Sequence, residues 1–352
     1  MVYPKRKNLI IAGALLLSAL ICLLIAARLP RSQQSQFQAE RWAGESGESF
    51  AQYTAFLSPT DSMDTLKVME LRYQLREKLI AASVEVPEGS YGFCDCWSAN
   101  ASTKIRSGRG SFDAAVVAVG GDWFAFHPMS LRSGVYLAET DLMHDRVVLD
   151  EQLAWLLFGS ADVTGMTVSI EGTEFLVAGV VAVDRSRAAD AVSQRTPTLY
   201  IPFDTWEAGH EGLSLSSYEI VLPEPVEGFA ASLLKERFPL GSGALVRATG
   251  RFTFSASLKY LRDFAKRTVR TEAVAFSDWE NAARWTESWC ALLRFFALAL
   301  LVFPAVLAVI VLARLLRFGK EKVKTLAARL KNRLLGIPEG EAETADITQK
   351  AG

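Results

Sequence analysis

The sequence predicts an α+β extracytoplasmic domain, a mixed sheet with helices in two subdomains, between two transmembrane α-helices. Three observations predict this fold class. Two long apolar runs without charge lie near the two ends of the 352-residue chain. Basic residues flank each run on the side of the nearer terminus. Between the runs, the period-two alternation typical of strands repeatedly gives way to the three-to-four spacing typical of helices.

Each apolar run has the length and composition of a membrane span. Residues 9–27 read LIIAGALLLSALICLLIAA, residues 295–313 read FFALALLVFPAVLAVIVLA, and neither run contains a charged residue. About 20 apolar residues cross the hydrocarbon core of a bilayer as a helix. Pro304 lies in the second run, where a transmembrane helix tolerates a kink. The first run is longer than the apolar part of a signal peptide, so we expect an uncleaved anchor.

The charged flanks predict the orientation of both spans. Lys5, Arg6 and Lys7 precede the first run. The second run is followed by Arg314, Arg317, Lys320, Lys322 and Lys324. Positive flanks favour the cytoplasmic side, although three arginines also border the outer side. Both termini are therefore predicted to be cytoplasmic and residues of about 29–293 extracytoplasmic.

These features divide the chain into seven predicted segments. They are a cytoplasmic N-terminus (1–8), transmembrane helix 1 (9–28), a linker or stalk (29–60), the extracytoplasmic core domain (61–256), a helical stalk (257–293), transmembrane helix 2 (294–316), and a cytoplasmic basic amphipathic helix with an acidic tail (317–352). Three roles remain open for the basic segment: a topology signal without a partner, coupling to a cytoplasmic ATPase, and contact with anionic lipid.

The first element of the core domain is a predicted amphipathic helix over residues 61–82. Asp61 or Ser62 is the expected N-cap, because side-chain oxygens at this position accept from the first free N–H groups. The apolar residues at helical spacing are Leu66, Met69, Leu71, Tyr73, Leu75, Leu79 and Ile80. We expect this face to pack on its own domain, with a partner groove as the alternative.

The central part of the domain predicts alternating strands and helices. Strands are expected at 92–103, 112–119, 131–137, 146–149 and 197–206. Asp150 is expected to cap a helix that ends at Gly159. Two further strands joined at Glu171-Gly172 form a predicted hairpin. Residues 213–250 have a strand–helix–strand order and predict a smaller α+β unit.

Two cysteines far from the apolar runs, Cys94 and Cys96, alternate on a predicted strand. Side chains at i and i+2 share one face, and a disulfide between them would close a strained ring. Two buried thiols are favoured, and a redox-active or intermolecular disulfide and a metal site remain open. The three histidines, His127, His144 and His210, lack the spacing of metal ligands.

No sequence motif indicates an enzyme. The chain contains neither the G-x-S-x-G elbow of serine hydrolases nor the G-x-x-x-x-G-K-[ST] loop of ATP-binding cassettes. Basic residues cluster beside the apolar runs rather than in aromatic-rich stripes, so no nucleic acid is expected as a partner. We therefore expect no catalytic residue, no cofactor-binding residue and no metal ligand, and the predicted partner of the two spans is the lipid bilayer.

Two stretches carry a resemblance to a known family. GGDWFAFHPMSLRSGVYL (120–137) and RVVLDEQLAWLLFGSADVTGMTVSIEGTEFLVAGVVA (146–182) resemble the extracytoplasmic core domain of MacB/FtsX-like ABC transporter permeases. The matching residues are Gly121, Asp122, Phe124, Gly134, Val147, Val148, Leu149, Phe158, Gly159, Gly165, Val177, Gly179 and Val180. These residues are typical determinants of a fold rather than of an active site.

The resemblance implies a bacterial inner-membrane protein that transmits motion or supports transport. A usual permease subunit of this family continues with two further spans, which this sequence does not contain. The implied function is a membrane subunit of an ABC-type transport or mechanotransmission complex without its own ATPase. Its implied partners are a separate ABC ATPase, a fuller permease subunit, and further copies in a homo- or hetero-oligomer. The alternative is a membrane-anchored sensor or binding module for an extracytoplasmic ligand.

Overall fold

The computed structural model describes residues 6–58, 61, 63–141, 143–192, 195–237, 243–263 and 276–334. Contacts divide the chain into two units, Ala26–Leu292 and Met1–Ile25 with Leu293–Gly352. The helices are α1 (Arg6–Arg28), α2 (Gln38–Ala43), α3 (Thr65–Ala81), α4 (Trp123–Phe126), α5 (Glu151–Phe158), α6 (Arg187–Val192), α7 (Phe203–Gly209), α8 (Phe229–Arg237), α9 (Phe254–Arg262) and α10 (Asp278–Leu334). The strands are β1 (Phe50–Phe56), β2 (Cys94–Ser107), β3 (Gly110–Gly121), β4 (Leu131–Gly134), β5 (Arg146–Asp150), β6 (Thr167–Ile170), β7 (Thr173–Val181), β8 (Thr198–Pro202), β9 (Ser217–Pro223) and β10 (Ala244–Arg247).

The described strands form one mixed sheet in the order β10-β1-β9-β2-β3-β8-β5-β7-β4. Strands β3 and β8 pair in parallel, as do β5 and β7, and the other described pairs are antiparallel. Strand β6 pairs with both β2 and β7, so six strands form a closed circuit of hydrogen-bonded neighbours. The mixed α/β sheet predicted from the sequence is confirmed.

Side chains alternate between two apolar clusters on opposite faces of the sheet. The main cluster joins the sheet to α3, α5, α7 and α8 and includes Trp97, Tyr218 and Ile220. The second cluster contains Cys94, Cys96 and residues of α4. Because strand β9 lies between β1 and β2 and is covered on both faces, even its polar residue Glu219 is buried.

Part of the segment predicted as a linker, residues 29–60, belongs to the folded domain instead. Strand β1 pairs with β9 over seven residues and with β10 over four. The prediction of a linker is wrong here because the polar residues in this segment find buried partners. The side chain of Gln52 donates to the carbonyl of Ser35 at 2.7 Å and accepts from the backbone N–H of Gln38 at 3.0 Å.

Helix α3 confirms the predicted helix but begins later than expected. Its N-cap is Asp64, whose carboxylate accepts from the N–H of Lys67 at 2.9 Å, whereas Asp61 accepts from the N–H of Ser58. Ser62, the other expected cap, lies outside the described residues. The apolar residues predicted to share one face of this helix lie on two faces, one buried and one exposed. Val68, Leu71, Leu75 and Leu79 are buried. Leu66, Met69, Tyr73 and Ile80 are exposed.

The predicted strand–helix–strand order of residues 213–250 corresponds to β9, α8 and β10. Both strands hydrogen-bond to β1 within the single sheet. The apolar residues of α8 also join the main cluster rather than a core of their own. The residues expected as a smaller unit therefore continue the main sheet.

Helix α5 has the predicted cap at each end. The carboxylate of Asp150 accepts from the N–H of Leu153 at 2.6 Å and from the N–H of Thr198 on β8 at 2.7 Å. Gly159 ends the helix with φ +77°, a conformation that glycine adopts without strain. Asp150 therefore connects the helix start to a neighbouring strand.

We expect Asp150→Ala to lower the free energy of unfolding by about 1–3 kcal/mol, because it removes a cap and leaves the part-buried N–H of Thr198 without its acceptor. Asp64→Ala is the matched control, since Asp64 caps α3 through one exposed hydrogen bond. It should cost about 1 kcal/mol or less. Chemical denaturation followed by circular dichroism measures both, and equal losses would contradict the role assigned to Thr198.

Two helices are long and apolar enough to cross a membrane by length and composition. They cover Arg6–Ser32 and Asp278–Ala328, each with a mean hydropathy of 3.0 in its most apolar window. The two windows are 17% and 11% buried, far less than the core helix of a soluble protein. Pro304 lies inside α10. The two apolar helices that flank the domain in sequence are thus confirmed.

Candidate coupling site at the start of the long helix

The first turns of helix α10 contact the mixed-sheet domain through aromatic rings. The ring of Trp279 lies 5.5 Å from that of Phe56 on β1 and 4.9 Å from the imidazole of His127. The ring of Phe276 meets Phe56 edge to face at 4.8 Å, a favoured aromatic geometry. The start of the helix is therefore packed against the end of strand β1.

A buried charge network holds the same helix. Arg251, in the turn after β10, pairs with Glu280 at 2.8 Å and with Glu287 at 3.2 Å. Glu280 and Glu287 are seven residues apart, so both project from one face of α10. Arg251 also donates to the amide oxygen of Gln36 at 2.7 Å, and Arg284 donates to Glu280 at 2.6 Å. We call Arg251, Glu280, Glu287 and Gln36 the Arg251 cluster.

The Arg251 cluster lies away from water. Arg251, Glu280 and Glu287 are 8%, 1% and 5% exposed. Burial alone would lower the pKa of Arg251, but the carboxylates of Glu280 and Glu287 outweigh it and raise the pKa. The guanidinium is therefore charged, and each of its two terminal nitrogens is hydrogen-bonded. Removing one partner would leave buried charge uncompensated.

Further contacts of α10 involve small and hydroxyl side chains. Tyr260 of α9 and Ser288 share a hydrogen bond of 2.6 Å. The thiol of Cys290 donates to the carbonyl of Ala26 in the last turn of α1 at 3.4 Å. Cys290 and Ala291 are fully buried. Helix α10 is thus fixed to several elements of the unit Ala26–Leu292.

A second charge network lies beneath α3. Arg72 pairs with Asp95 of β2 at 2.7 Å and with Glu139 at 2.7 Å, and Tyr218 donates to Asp95 at 2.6 Å. Burial would lower the pKa of Arg72, but its hydrogen bonds with Asp95 and Glu139 raise it. The guanidinium also lies 4.8 Å above the ring of Trp97. This network locks α3 onto the sheet.

The cysteines predicted on a strand face are both buried on β2 and both free. The structure brings Cys96 together with His127 and Glu219, all of them buried. Burial, followed by the charge of Glu219, raises the pKa of the Cys96 thiol well above its ordinary value. Of the other histidines, His210 stacks on Trp206 and lies near Glu171. The sequence spacing of the histidines therefore did not indicate that His127 lies beside Cys96 and Glu219. Strand register and the turn after α4 bring these three residues together.

Comparison with known proteins identifies the family of the chain. The model of the MacB-like periplasmic core domain matches residues 35–232, more than half of the chain. The chain belongs to the MacB-like periplasmic core domain family. The match begins inside the segment predicted as a linker, in agreement with the placement of β1.

Three solved structures are similar to this MacB-like chain. The periplasmic region of MacB from Actinobacillus actinomycetemcomitans is 18% identical, with 62% of this chain and 94% of that one covered and a TM-score of 0.40. The extracellular domain of the noncanonic ABC-type transporter YknZ from Gram-positive bacteria is 15% identical, with 52% and 88% covered and a TM-score of 0.36. A domain of a putative permease from Porphyromonas gingivalis is 12% identical, with 60% and 95% covered and a TM-score of 0.34. No curated protein matches the sequence.

The residues that carried the resemblance lie where this MacB-like fold needs them. Gly121 ends β3 with φ +62°, and a Cβ there would lie 2.5 Å from the carbonyl oxygen of Asp95. Val147, Val148 and Leu149 are buried on β5. These matching residues therefore form a strand end and a buried strand, and the absence of a catalytic, cofactor or metal role for any residue stays a prediction.

Proposed function

We propose that this protein is a membrane subunit of an ABC-type transport or mechanotransmission complex, with ATP hydrolysis supplied by a separate subunit. The observation that carries the proposal is the anchoring of α10 by the Arg251 cluster. One helix, Asp278–Leu334, contains both the anchored turns and the apolar residues of a candidate span. A fuller permease subunit and further copies of the chain complete the proposed complex.

The proposed topology follows from the charged flanks of the two spans. Both termini lie in the cytoplasm, and residues of about 29–293 lie outside the bacterial inner membrane. Lys320, Lys322 and Lys324 in the last part of α10 would then meet the ATPase or the anionic inner leaflet. We propose the seven segments with the bounds predicted from sequence, with one change. The extracytoplasmic domain begins before residue 50 rather than at residue 61, because β1 belongs to its sheet.

The proposed mechanism uses α10 to carry displacement. Helices bend little where no breaker interrupts them, and the described residues between Asp278 and Val302 contain neither proline nor glycine. Pro304 is the proposed hinge, because its ring removes one backbone hydrogen bond and favours a bend there. Displacement at the inner end would reach β1 and the turn after β10 through Trp279 and Arg251.

The first test asks which protein accompanies the chain. We expect an ABC ATPase to co-purify in stoichiometric amount when the full-length protein is isolated from native membranes in mild detergent. An unrelated membrane protein isolated in the same way is the control and should bring down less of this ATPase. A histidine kinase or another regulator in place of an ATPase would support a sensor instead. Isolation of the protein with neither class of partner contradicts the proposed function.

The second test asks whether α10 transmits motion in that complex. ATP is expected to change amide hydrogen exchange within residues 26–292, and a Gly-rich insertion between Leu292 and Leu293 should abolish this change. The complex should still assemble and the domain should keep its fold. The same insertion between Glu88 and Gly89, in a turn, is the matched control and should leave the ATP response intact. A response that survives insertion in α10 rules out transmission through this helix.

A second function, a sensor or binding module, is favoured by one surface. Leu66, Met69, Tyr73 and Ile80 form an exposed apolar stripe on α3, on the side opposite its buried face. Apolar groups in this arrangement are typical of contact with a protein partner. This function predicts binding of an extracytoplasmic partner in the absence of any ATPase, which the co-purification experiment distinguishes.

A further inference from the structure

Three metal-ligating side chains of different types converge in the second apolar cluster. Cys96 on β2 lies directly opposite Glu219 on β9 in the antiparallel register. His127, the C-cap residue after α4, reaches the same carboxylate from outside the sheet. The ligand atoms of the three residues all lie within 4.8 Å of one another.

The three side chains are buried, and those of Cys96 and His127 both point to one carboxylate oxygen of Glu219. Oε1 of Glu219 lies 2.6 Å from Nε2 of His127 and 3.9 Å from Sγ of Cys96. Cys96, His127 and Glu219 are 0%, 5% and 1% exposed. The other carboxylate oxygen of Glu219 accepts from the hydroxyl of Thr54 on β1 at 3.4 Å. Thr54 thereby holds Glu219 so that Oε1 faces the other two groups.

We propose that Cys96, His127 and Glu219 bind one divalent transition-metal ion of the zinc class. A thiolate, an imidazole nitrogen and a carboxylate oxygen are the three ligand types that Zn²⁺ takes from proteins. Three protein ligands with a fourth position left for water form a common coordination set. The mixed donor set excludes Mg²⁺ and Ca²⁺, which require oxygen ligands.

The separations fit such a site after a small rearrangement. Tetrahedral zinc places neighbouring ligand atoms about 3.5 Å apart, given metal–ligand bonds of roughly 2.0–2.3 Å. The Sγ–Oε1 distance of 3.9 Å is close to this value. The Nε2–Oε1 contact of 2.6 Å is a hydrogen bond that must open by about 1 Å to admit the ion. Binding of the ion therefore requires rotation of the His127 and Glu219 side chains.

Charge also favours a divalent ion. The bound form contains a carboxylate, a thiolate and a neutral imidazole, so the two negative charges of the ligands balance the ion. On binding, the Cys96 thiol releases its proton to solvent, Nε2 of His127 coordinates the ion while the ring proton resides on Nδ1, and no electron is transferred. The result is a neutral buried centre, which avoids the cost of isolated charge in an apolar surrounding.

Cys94 provides an internal control on the same strand. It lies two residues before Cys96 on the same face and is likewise buried. Its Sγ lies 3.9 Å from the side-chain amide of Gln38, and Cys94 is not part of the cluster of three. Cys94 therefore serves as a buried thiol outside the proposed site, against which the metal binding of Cys96 can be compared.

The test is metal titration of the full-length protein in detergent, purified without a histidine tag and treated with chelator. We expect one Co²⁺ per chain, a thiolate-to-cobalt absorption band, displacement by Zn²⁺, and a higher unfolding temperature with Zn²⁺. Cys96→Ser should lose the band and weaken Co²⁺ binding by more than about 100-fold. Loss of a residue that only hydrogen-bonds a ligand weakens metal binding by about 10–100-fold, so a larger loss indicates direct coordination. Cys94→Ser should retain both properties.

His127→Gln separates the proposed site from binding by Cys96 alone. It keeps the thiol and should keep a weak cobalt band with at least about tenfold lower affinity. A folded wild-type protein that binds no Co²⁺ overturns the proposal and leaves a hydrogen-bonded cluster. Loss of the band in Cys94→Ser together with its survival in Cys96→Ser also overturns it. Neither result depends on the presence of an ATPase, so the transport proposal is tested separately.

Discussion

Arg251→Met is expected to lower the free energy of unfolding by about 3–5 kcal/mol, because Glu280 and Glu287 would stay buried without their cation. Methionine keeps most of the volume of the side chain, so the loss reports charge rather than a cavity. Urea denaturation of the full-length protein in detergent, followed by tryptophan fluorescence, measures the change. Trp279, one of eight tryptophans, lies beside Glu280 in sequence and contributes to this signal.

Arg247→Met is the matched control for the Arg251 cluster. Arg247 lies four residues earlier and pairs with Glu224 at 3.5 Å, but its side chain is 38% exposed. A partly exposed ion pair contributes about 0–1 kcal/mol, so this variant should remain close to the wild type. Combining Arg251→Met with Glu280→Gln and Glu287→Gln should recover part of the loss, since the stranded charges are removed. Equal stability of the two arginine variants would refute anchoring of α10 by buried charge.

Gly134→Ala is expected to destabilise the domain by more than about 4 kcal/mol, or to prevent its accumulation in the membrane. Gly134 has φ +76°, and a Cβ there would lie 2.0 Å from the carbonyl oxygen of Ala178 and 2.7 Å from the Cα of Gly179. Both atoms belong to the backbone of β7, so no side chain can move aside. Strand β4 would have to separate from the sheet.

Gly165→Ala distinguishes crowding from backbone strain. Gly165 has φ +83°, yet a Cβ there would meet no atom within 4 Å. Its replacement should cost only the left-handed conformation, about 1–2 kcal/mol. Expression level and the denaturation midpoint of the two variants measure the difference. If Gly134→Ala is no worse than Gly165→Ala, the close approach of β4 and β7 does not determine stability.

Local sequence patterns predicted the elements whose cause lies within a few residues. The apolar runs, the cap of α5 at Asp150 and its termination at Gly159 follow from composition, side-chain acceptors and glycine conformation. The match to permease domains also depended on such local features, chiefly the turn at Gly121 and the strand at Val147. These elements form in the predicted places because their stabilising contacts are close in the chain.

Strand β1 and the cap of α3 show where local patterns were insufficient. Phe50–Phe56 contains Gln52 and Thr54, which resemble linker residues until their buried partners are known. Asp61 and Asp64 are both capable of capping α3, and their order in sequence does not distinguish them. In the fold Asp64 caps α3, and the next residue, Thr65, hydrogen-bonds Glu207 of α7 at 2.7 Å.

The sequence by itself determined two apolar spans, a mixed α/β domain between them and the family to which the domain belongs. The tertiary structure alone decided that Arg251 meets Glu280 and Glu287, and that Cys96 meets His127 and Glu219. Cys96 and Glu219 are 123 positions apart, and strand register makes them neighbours. Such pairs depend on how distant segments align, because a shift of one residue in a strand turns each side chain to the other face of the sheet.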